Sequence, residues 1–161
     1  MVVNVLAGKG YVLAKNKKAL HNFSVLETYV AGLELKGYEV KAIREGKVSF
    51  EGSYVEGEGG ELYVVNLYIG RYSKQSKNFV EEDAKRNRRL LLNKNEVLEV
   101  LRDISEKGKT AVPLALVLKN GRIKLEIAVA KGKGEFEKKV VTKERQIQLD
   151  LAREAKEIMS R

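Results

Sequence analysis

The sequence predicts a mainly β fold: a small closed or nearly closed antiparallel barrel with helices packed on it and a C-terminal tail. Three observations carry that expectation. An Asn-Gly turn joins two apolar runs at 112–130, a glycine-rich hairpin precedes it at 53–69, and one capped helix lies between them. The chain has 161 residues, 43% of them hydrophobic, which suits one domain with a real core plus a tail.

Residues 22–36 (NFSVLETYVAGLELK) are rich in β-branched and aromatic side chains and read as strand, broken near Ala31-Gly32. Gly37 allows a tight turn, and 38–45 (YEVKAIRE) has a short helical pattern with Val40 and Ile43 on one side, ended by Gly46. In SYVEGEGGELYVVNLYI at 53–69, two β-rich runs flank Gly57-Glu58-Gly59-Gly60. The main helix begins at Asn93, a good N-cap, with Glu96 three residues on completing a capping-box variant. Leu92 and Val97 are spaced as a hydrophobic staple, Val97, Leu98, Leu101 and Ile104 recur at helical spacing, and Gly108 closes the helix after Lys107.

The turn Asn120-Gly121 fits a type I′ hairpin, whose two central residues need positive φ. It pairs Lys119 with Arg122 and Leu118 with Ile123, then Leu116 with Leu125, Leu114 with Ile127 and Val112 with Val129. All these apolar residues share one face, and Lys119, Arg122, Lys124 and Glu126 take the other. Pro113 lies near the strand start, where its missing N–H is tolerated. An OB-like antiparallel barrel is the leading architecture, with an α+β sandwich as the alternative. The barrel domain is expected over 1–130 and a basic tail over 131–161. In the tail, Ile147, Leu151, Ala155 and Ile158 recur near helical spacing after Thr142, a thin stripe that would be marginal alone and would order on binding.

Charge narrows the function. Thirty-one Lys and Arg against 22 Asp and Glu leave a net +9, which points to a polyanionic partner. The surplus is clustered: the first acid is Glu27, after Lys9, Lys15, Lys17 and Lys18, and residues 85–89 hold Lys85, Arg86, Arg88 and Arg89. Residues 131–161 carry nine Lys or Arg and six Asp or Glu. The absence of cysteine excludes disulfides and thiolate metal sites, and a lone histidine, His21, makes a His-based metal site poor. No apolar run approaches a membrane span, and the opening MVVNVLAGKG does not read as a signal peptide, so a cytoplasmic protein is expected.

Six blocks in order then identify a resemblance. They are AKNKKALHNF at 14–23, ETYVAGLELKGYEVKAIREGKV at 27–48, SYV at 53–55, DAKRNRRLLLNKNE at 83–96, VPLALVLKNGRIKLEIAVAKGK at 112–133 and KER at 143–145. From about Ala14 to Arg153 the chain resembles the SsrA-binding (small protein B) family of bacterial ribosome rescue. The resemblance implies an OB-type antiparallel barrel with three helices and a non-enzymatic protein without cofactor or metal. One monomer would bind the tRNA-like domain of transfer-messenger RNA, also called tmRNA. With elongation factor Tu and GTP, and with alanyl-tRNA synthetase acting on the same RNA, that complex would serve trans-translation on stalled ribosomes. The tail, flexible when free, would become helical in the vacant mRNA channel near the small-subunit decoding centre.

Residue by residue, the resemblance assigns RNA contacts to Asn16, Lys17, Lys18 and His21, to Arg86, Arg88 and Arg89, and to Leu91 and Asn93. Lysine suits phosphate as a point charge and arginine as a planar fork, while histidine can meet an exposed nucleotide. Asn93 would both cap the helix and touch RNA. In the tail, Gly132, Lys133, Phe136, Lys138, Lys139, Lys143 and Arg145 match the stretch that meets the decoding centre and mRNA channel, with Phe136 placed to stack on a base. The chain departs from the family pattern at Val30 (usually Glu), Leu20 (Arg), Ala84 (Pro), Gly134 (Lys), Glu137 (Asp) and Lys139 (Arg). The competing expectations are a general basic OB-type RNA binder or ribosome-associated structural protein, and a metal-dependent nuclease using Glu81, Glu82 and Asp83.

Overall fold

The computed structural model describes residues 11–74 and 79–132. The chain falls into two units, Met1–Lys131 and Gly132–Arg161. The described elements in order are β1 (Tyr11–Lys15), α1 (Lys17–Asn22), β2 (Phe23–Leu33), α2 (Gly37–Arg44), β3 (Val48–Ser49), β4 (Tyr54–Glu58), β5 (Glu61–Val65) and β6 (Tyr68–Ile69). A 3-10 turn (Glu81–Lys85), β7 (Arg88–Leu91), α3 (Lys94–Ser105), β8 (Lys109–Lys119) and β9 (Arg122–Gly132) complete the order.

The strands close on themselves: β8, β4, β5, β7, β2 and β9 pair in turn, and β9 returns to β8. Closure removes the exposed edges an open sheet would carry. β1 adds to the other edge of β8, and β3 pairs with β6 as a separate ribbon. The expected OB-like antiparallel barrel with three helices is the observed architecture.

Its spine is the β8–β9 hairpin. Asn120 and Gly121 hold φ of 53° and 73°, and the register Lys119–Arg122, Leu118–Ile123 and Leu116–Leu125 is as the turn dictates. Beyond Leu116 the register departs from expectation. A bulge between Pro113 and Ala115 pairs Pro113 with Ile127, Ala111 with Val129 and Val112 with Ala128. A bulge inserts one extra residue, which reverses the faces of the residues beyond it; it also accommodates a proline that has no N–H to give. Val112 therefore leaves the barrel interior. With Leu114, Ala128 and Phe23 it packs around buried Ala19 of α1.

The interior holds Leu62, Val64, Leu116, Leu125, Ile127 and Val129, with Ala42 and Ile43 of α2 and Val100 of α3. On the opposite face of β9, Glu126 differs from its expected place at the surface: it is fully buried, neither oxygen has a hydrogen-bond partner among the described residues, and burial pushes its pKa up. β2 also differs, running unbroken through Ala31-Gly32. Gly32 is needed there for approach, because a Cβ would stand 3.0 Å from Leu91 Cβ on β7. The 53–69 hairpin turns at Gly59-Gly60, both with positive φ, so that Glu58 pairs with Glu61. Asn66 at φ 61° ends β5 and frees β6 to pair with β3.

Helix α3 is capped by Asn93, whose side chain accepts from Glu96 N at 2.9 Å. Tyr29 Oη of β2 lies 3.2 Å from Glu99 Oε2 of α3; burial and that hydrogen bond raise the phenol to about 12, so it is the donor at neutral pH. Helix α1 has no counterpart in the expected elements. Six residues show too little periodicity to read, and the helix depends on Asn16. Asn16 Oδ1 accepts from Ala19 N at 3.2 Å, its Nδ2 donates to Pro113 O at 2.8 Å, and its N–H donates to Leu114 O at 2.7 Å.

Replacing Asn16 by Ala removes the cap and the tie to β8, and is expected to cost ~1–2 kcal/mol. Asn16→Asp keeps the capping oxygen and should lose less. Urea unfolding of the two variants against the parent checks the order.

Candidate nucleic-acid interface

Alternation along β7 decides what its basic residues do. Arg88 and Leu90 point inward and are buried, whereas Arg89 is half-buried and Leu91 is 45% exposed. Arg88 was expected at an RNA surface, and its place in the fold corrects that expectation: it has 0% exposure. Its Nε and Nη2 lie 2.6 Å from Glu39 Oε2. Nη1 donates to Leu67 O at 2.6 Å and Arg86 O at 3.3 Å, and Nη2 donates to Ala84 O at 3.0 Å. With no surface and its donors engaged inside, Arg88 holds the scaffold and offers nothing to a phosphate.

Glu39, 2% exposed on α2, is the centre of this network. Its Oε1 accepts from Arg86 Nη2 at 2.5 Å and from Lys36 N at 2.8 Å. Burial pushes its pKa up, but the bonds from Arg86, Lys36 N and Arg88 outweigh burial and hold it below the ordinary carboxylate value. Arg86 is thereby half-buried and committed to Glu39. Arg89 reaches outward, yet it pairs with Glu61 at 2.7 Å and Glu34 at 3.5 Å. The arginine cluster is therefore mostly neutralised within the fold.

Free charge gathers elsewhere. Leu91 borders an open cleft of about 460 Å³ whose walls include Gly32, Val40, Arg44, Arg122 and Lys124. Arg44 comes from the end of α2, and Arg122 and Lys124 come from β9. None of the three makes an ion pair among the described residues. An exposed leucine ringed by three unpaired cations suits a ligand with phosphates and a flat apolar face. Sequence reasoning placed Arg122 and Lys124 on the polar face of the hairpin but did not bring them to Leu91. That needs the β2–β7 and β2–β9 pairings, which no local motif encodes.

A second basic surface lies on α1, where Lys17, Lys18 and His21 are exposed. Lys18 stands 3.9 Å from Glu51, an exposed pair worth little. Asn16, half-buried, is occupied as cap and tie. Asn93 is exposed at the head of α3, and Val30 is half-buried in β2. Gly132 ends β9. Lys133, Phe136, Lys138, Lys139, Lys143 and Arg145 lie outside the described residues. Among the described residues no three His, Asp or Glu are gathered as metal ligands, and no helix is long and apolar enough to cross a membrane.

A closed OB-like barrel with basic, apolar-floored surfaces defines a small basic β-barrel protein of the ligand-binding type. Residues 13–157 match the model of the SmpB protein family. The chain belongs to that family. It is 46% identical over 145 residues to the SsrA-binding protein of Persephonella marina, covering 90% of this chain and 94% of the relative. It is 43% identical to that of a Sulfurihydrogenibium species (90% and 94%) and 41% identical to that of Clostridium botulinum (90% and 92%). Among solved structures it is similar to a chain of "tmRNA-SmpB: a journey to the center of the bacterial ribosome", with a TM-score of 0.64 and 44% identity over 78% of this chain and 90% of that one.

Removing Glu39 leaves a buried guanidinium without its carboxylate, so Glu39→Ala is expected to destabilise the fold by ~3–5 kcal/mol. Arg89→Ala, at an exposed pair, should cost under about 1 kcal/mol. Because the folded pKa of Glu39 lies below its unfolded value of about 4.3, its contribution is whole above that value. It is lost as pH falls through the folded pKa. Denaturant unfolding of parent and Glu39→Gln from neutral to acid pH should show the two stabilities converging on the acid side.

Proposed function

We propose that this chain binds the tRNA-like domain of transfer-messenger RNA and accompanies it to stalled ribosomes for trans-translation, acting without catalysis. The observation that carries the reading is the Leu91 cleft with Arg44, Arg122 and Lys124 around it, none of them in an ion pair among the described residues, in a chain of the SmpB family. The relatives' name, SsrA-binding protein, and the tmRNA–SmpB ribosome neighbour support the same partner. Single-stranded loops expose base faces that an apolar floor can meet while cations take the phosphates. The folded RNA domain offers both.

Each contact has its own residues. Arg44, Arg122 and Lys124 take phosphates around Leu91, Asn93 adds a polar contact beside its cap, and Arg89 contributes where phosphate displaces Glu34 or Glu61. Lys17, Lys18 and His21 form the second basic surface, turned to the ribosomal decoding centre or to the RNA itself. Arg86 and Arg88 position β7 and do not bind. The tail residues Lys133, Phe136, Lys138, Lys139, Lys143 and Arg145 enter the vacant mRNA channel. Elongation factor Tu with GTP and alanyl-tRNA synthetase are met through the RNA, in the cytoplasm. The run Glu81, Glu82 and Asp83 sits exposed on the 3-10 turn, with Glu81 spending Oε1 on Tyr68 Oη. Among the described residues no group of three His, Asp or Glu that could hold a metal gathers there, which does not favour a nuclease.

Tight, steeply salt-dependent binding of the tRNA-like domain is expected, with a flatter log–log salt slope by about one for each of Arg122→Gln and Lys124→Gln. Gel-shift titrations across salt give both numbers; equal affinity for an unrelated hairpin of matched length would sink the reading in favour of a general RNA binder.

Truncation after Gly132, where β9 ends, leaves the described barrel whole. Binding of the tRNA-like domain should persist while tagging of nascent chains on stalled ribosomes is lost. Tagging that survives truncation, measured in a reconstituted translation reaction, would remove the tail's role.

A further inference from the structure

Glu126 is the side chain whose place the rest of the fold does not account for. It has 0% exposure, and neither oxygen has a hydrogen-bond partner among the described residues. It also belongs to none of the described ion pairs. Burial without a partner penalises the charged form of a carboxyl, so such a group is rare in a folded chain.

Its neighbours come from three strands in one row. Lys15 of β1 pairs with Ala115 of β8, and Ala115 pairs with Glu126 of β9. Directly paired residues share a face of the sheet, so all three stand on the outer face of the barrel. On one side of Glu126, Ala115 and Val117 are fully buried, with Val12 of β1 packed on them. On the other, Ala128, Val112 and Leu114 form the seat for Ala19 of α1. Residues 12–19 therefore cover ground on both sides of one buried carboxyl. The charged groups on these elements are Arg122 and Lys124 of β9, Lys119 of β8, Lys15 of β1, and Lys17, Lys18 and His21 of α1. None of them bonds to Glu126. On β2, which adjoins β9, Glu27 acts on the Tyr29 phenol. Burial pushes the Glu126 pKa up, and no described charge offsets it.

The layer that flanks Glu126 is also the least secured in the barrel domain. β1 has five residues, a bulge between Val12 and Ala14, and β8 as its described strand partner. Helix α1 has six residues and hangs on the bonds of Asn16. Elements this short, at the margin of a closed barrel, open before the barrel does.

We infer that Glu126 is a proton-linked latch: neutral, it lets residues 11–22 close on the β8–β9 face, and ionised, it favours opening of that layer while the barrel stays folded. On opening, the carboxyl meets water and gives its proton to it. The folded pKa lies above the ordinary glutamate value of about 4.3, so closure is firmest below that value. It weakens as pH rises toward the raised folded value and is constant beyond it. Glu39 has the opposite sign, with its contribution lost on the acid side. The latch concerns how firmly the layer is held, whatever the chain binds, so it stands or falls apart from the functional reading.

Hydrogen exchange of the full chain from about pH 4 to about pH 9, corrected for intrinsic rates, reads the opening. Protection of residues 11–22 should fall about tenfold per pH unit once Glu126 ionises in the open layer, then level off. In Glu126→Gln, neutral at every pH, that fall should be absent. β5 should stay protected through the same openings in both chains. Carbon-13 titration of the Glu126 carboxyl in the parent should show a midpoint above the ordinary range. That titration needs no variant, so a misfolded Glu126→Gln does not rescue the inference. An ordinary midpoint overturns it. So does a pH profile that a folded Glu126→Gln shares with the parent, or protection of residues 11–22 that is lost only together with that of β5.

Discussion

Glu39 stands between two guanidinium groups at the place where α2, β7, the 3-10 turn and the strand end at Leu67 meet. A carboxylate taken out of water costs several kcal/mol unless its partners are close and complete. Here two arginines and a backbone N–H meet it within 2.8 Å. Arg88 then carries the connection onward, to the carbonyls of Leu67, Ala84 and Arg86. A lysine could not do this, since its ammonium is a single point charge, whereas the guanidinium spreads five donors in a fixed plane. With Arg88 locked inward, strand alternation forces Arg89 and Leu91 outward. The exposure of Leu91 beside Gly32 thus follows from a bond made behind it.

That logic runs against what a basic cluster suggests at first sight. Lys85, Arg86, Arg88 and Arg89 are the densest positive run in the chain. Yet Arg86 and Arg88 are spent on Glu39, and Arg89 is shared between Glu34 and Glu61. A cation already paired must release its partner before it meets a phosphate. An unpaired one only exchanges counterions, which is the main gain in nucleic-acid binding. In the proposed reading the binding surface is therefore set by Arg44, Arg122 and Lys124, which are distant in sequence, and not by the run that dominates local charge.

What was legible in the sequence divides along the same line. Features set within a few residues were readable: the Asn120-Gly121 turn, the Asn93 cap, α2, a hairpin turn within Gly57–Gly60, and a closed or nearly closed OB-like barrel as the simplest way to cover these strands. Features set by distant contacts were not. Four residues of β7 are too few for a two-residue period to outweigh four charges in five, so Arg88 read as surface. The bulge at Leu114 leaves no mark except the neighbouring proline. The burial of Glu126 depends on what covers the outer face of β9, and the convergence at Leu91 on which strands adjoin β2.

The bulge links the two basic surfaces. In the unbulged register Val112 would face Val129 across the barrel interior. The extra residue turns it to Ala128 on the outside, where with Leu114 it forms the seat for Ala19. The same local break presents Pro113 O and Leu114 O to Asn16. Helix α1 is too short to hold itself, so this seat and these two bonds fix where Lys17, Lys18 and His21 stand. Beyond the bulge, toward the turn, the uninterrupted register carries Arg122 and Lys124 to Leu91. One hairpin thus sets both surfaces, the undisturbed half by its turn and the other half by its single irregularity. Restoring regular pairing would leave the Leu91 cleft in place and take the floor from under α1.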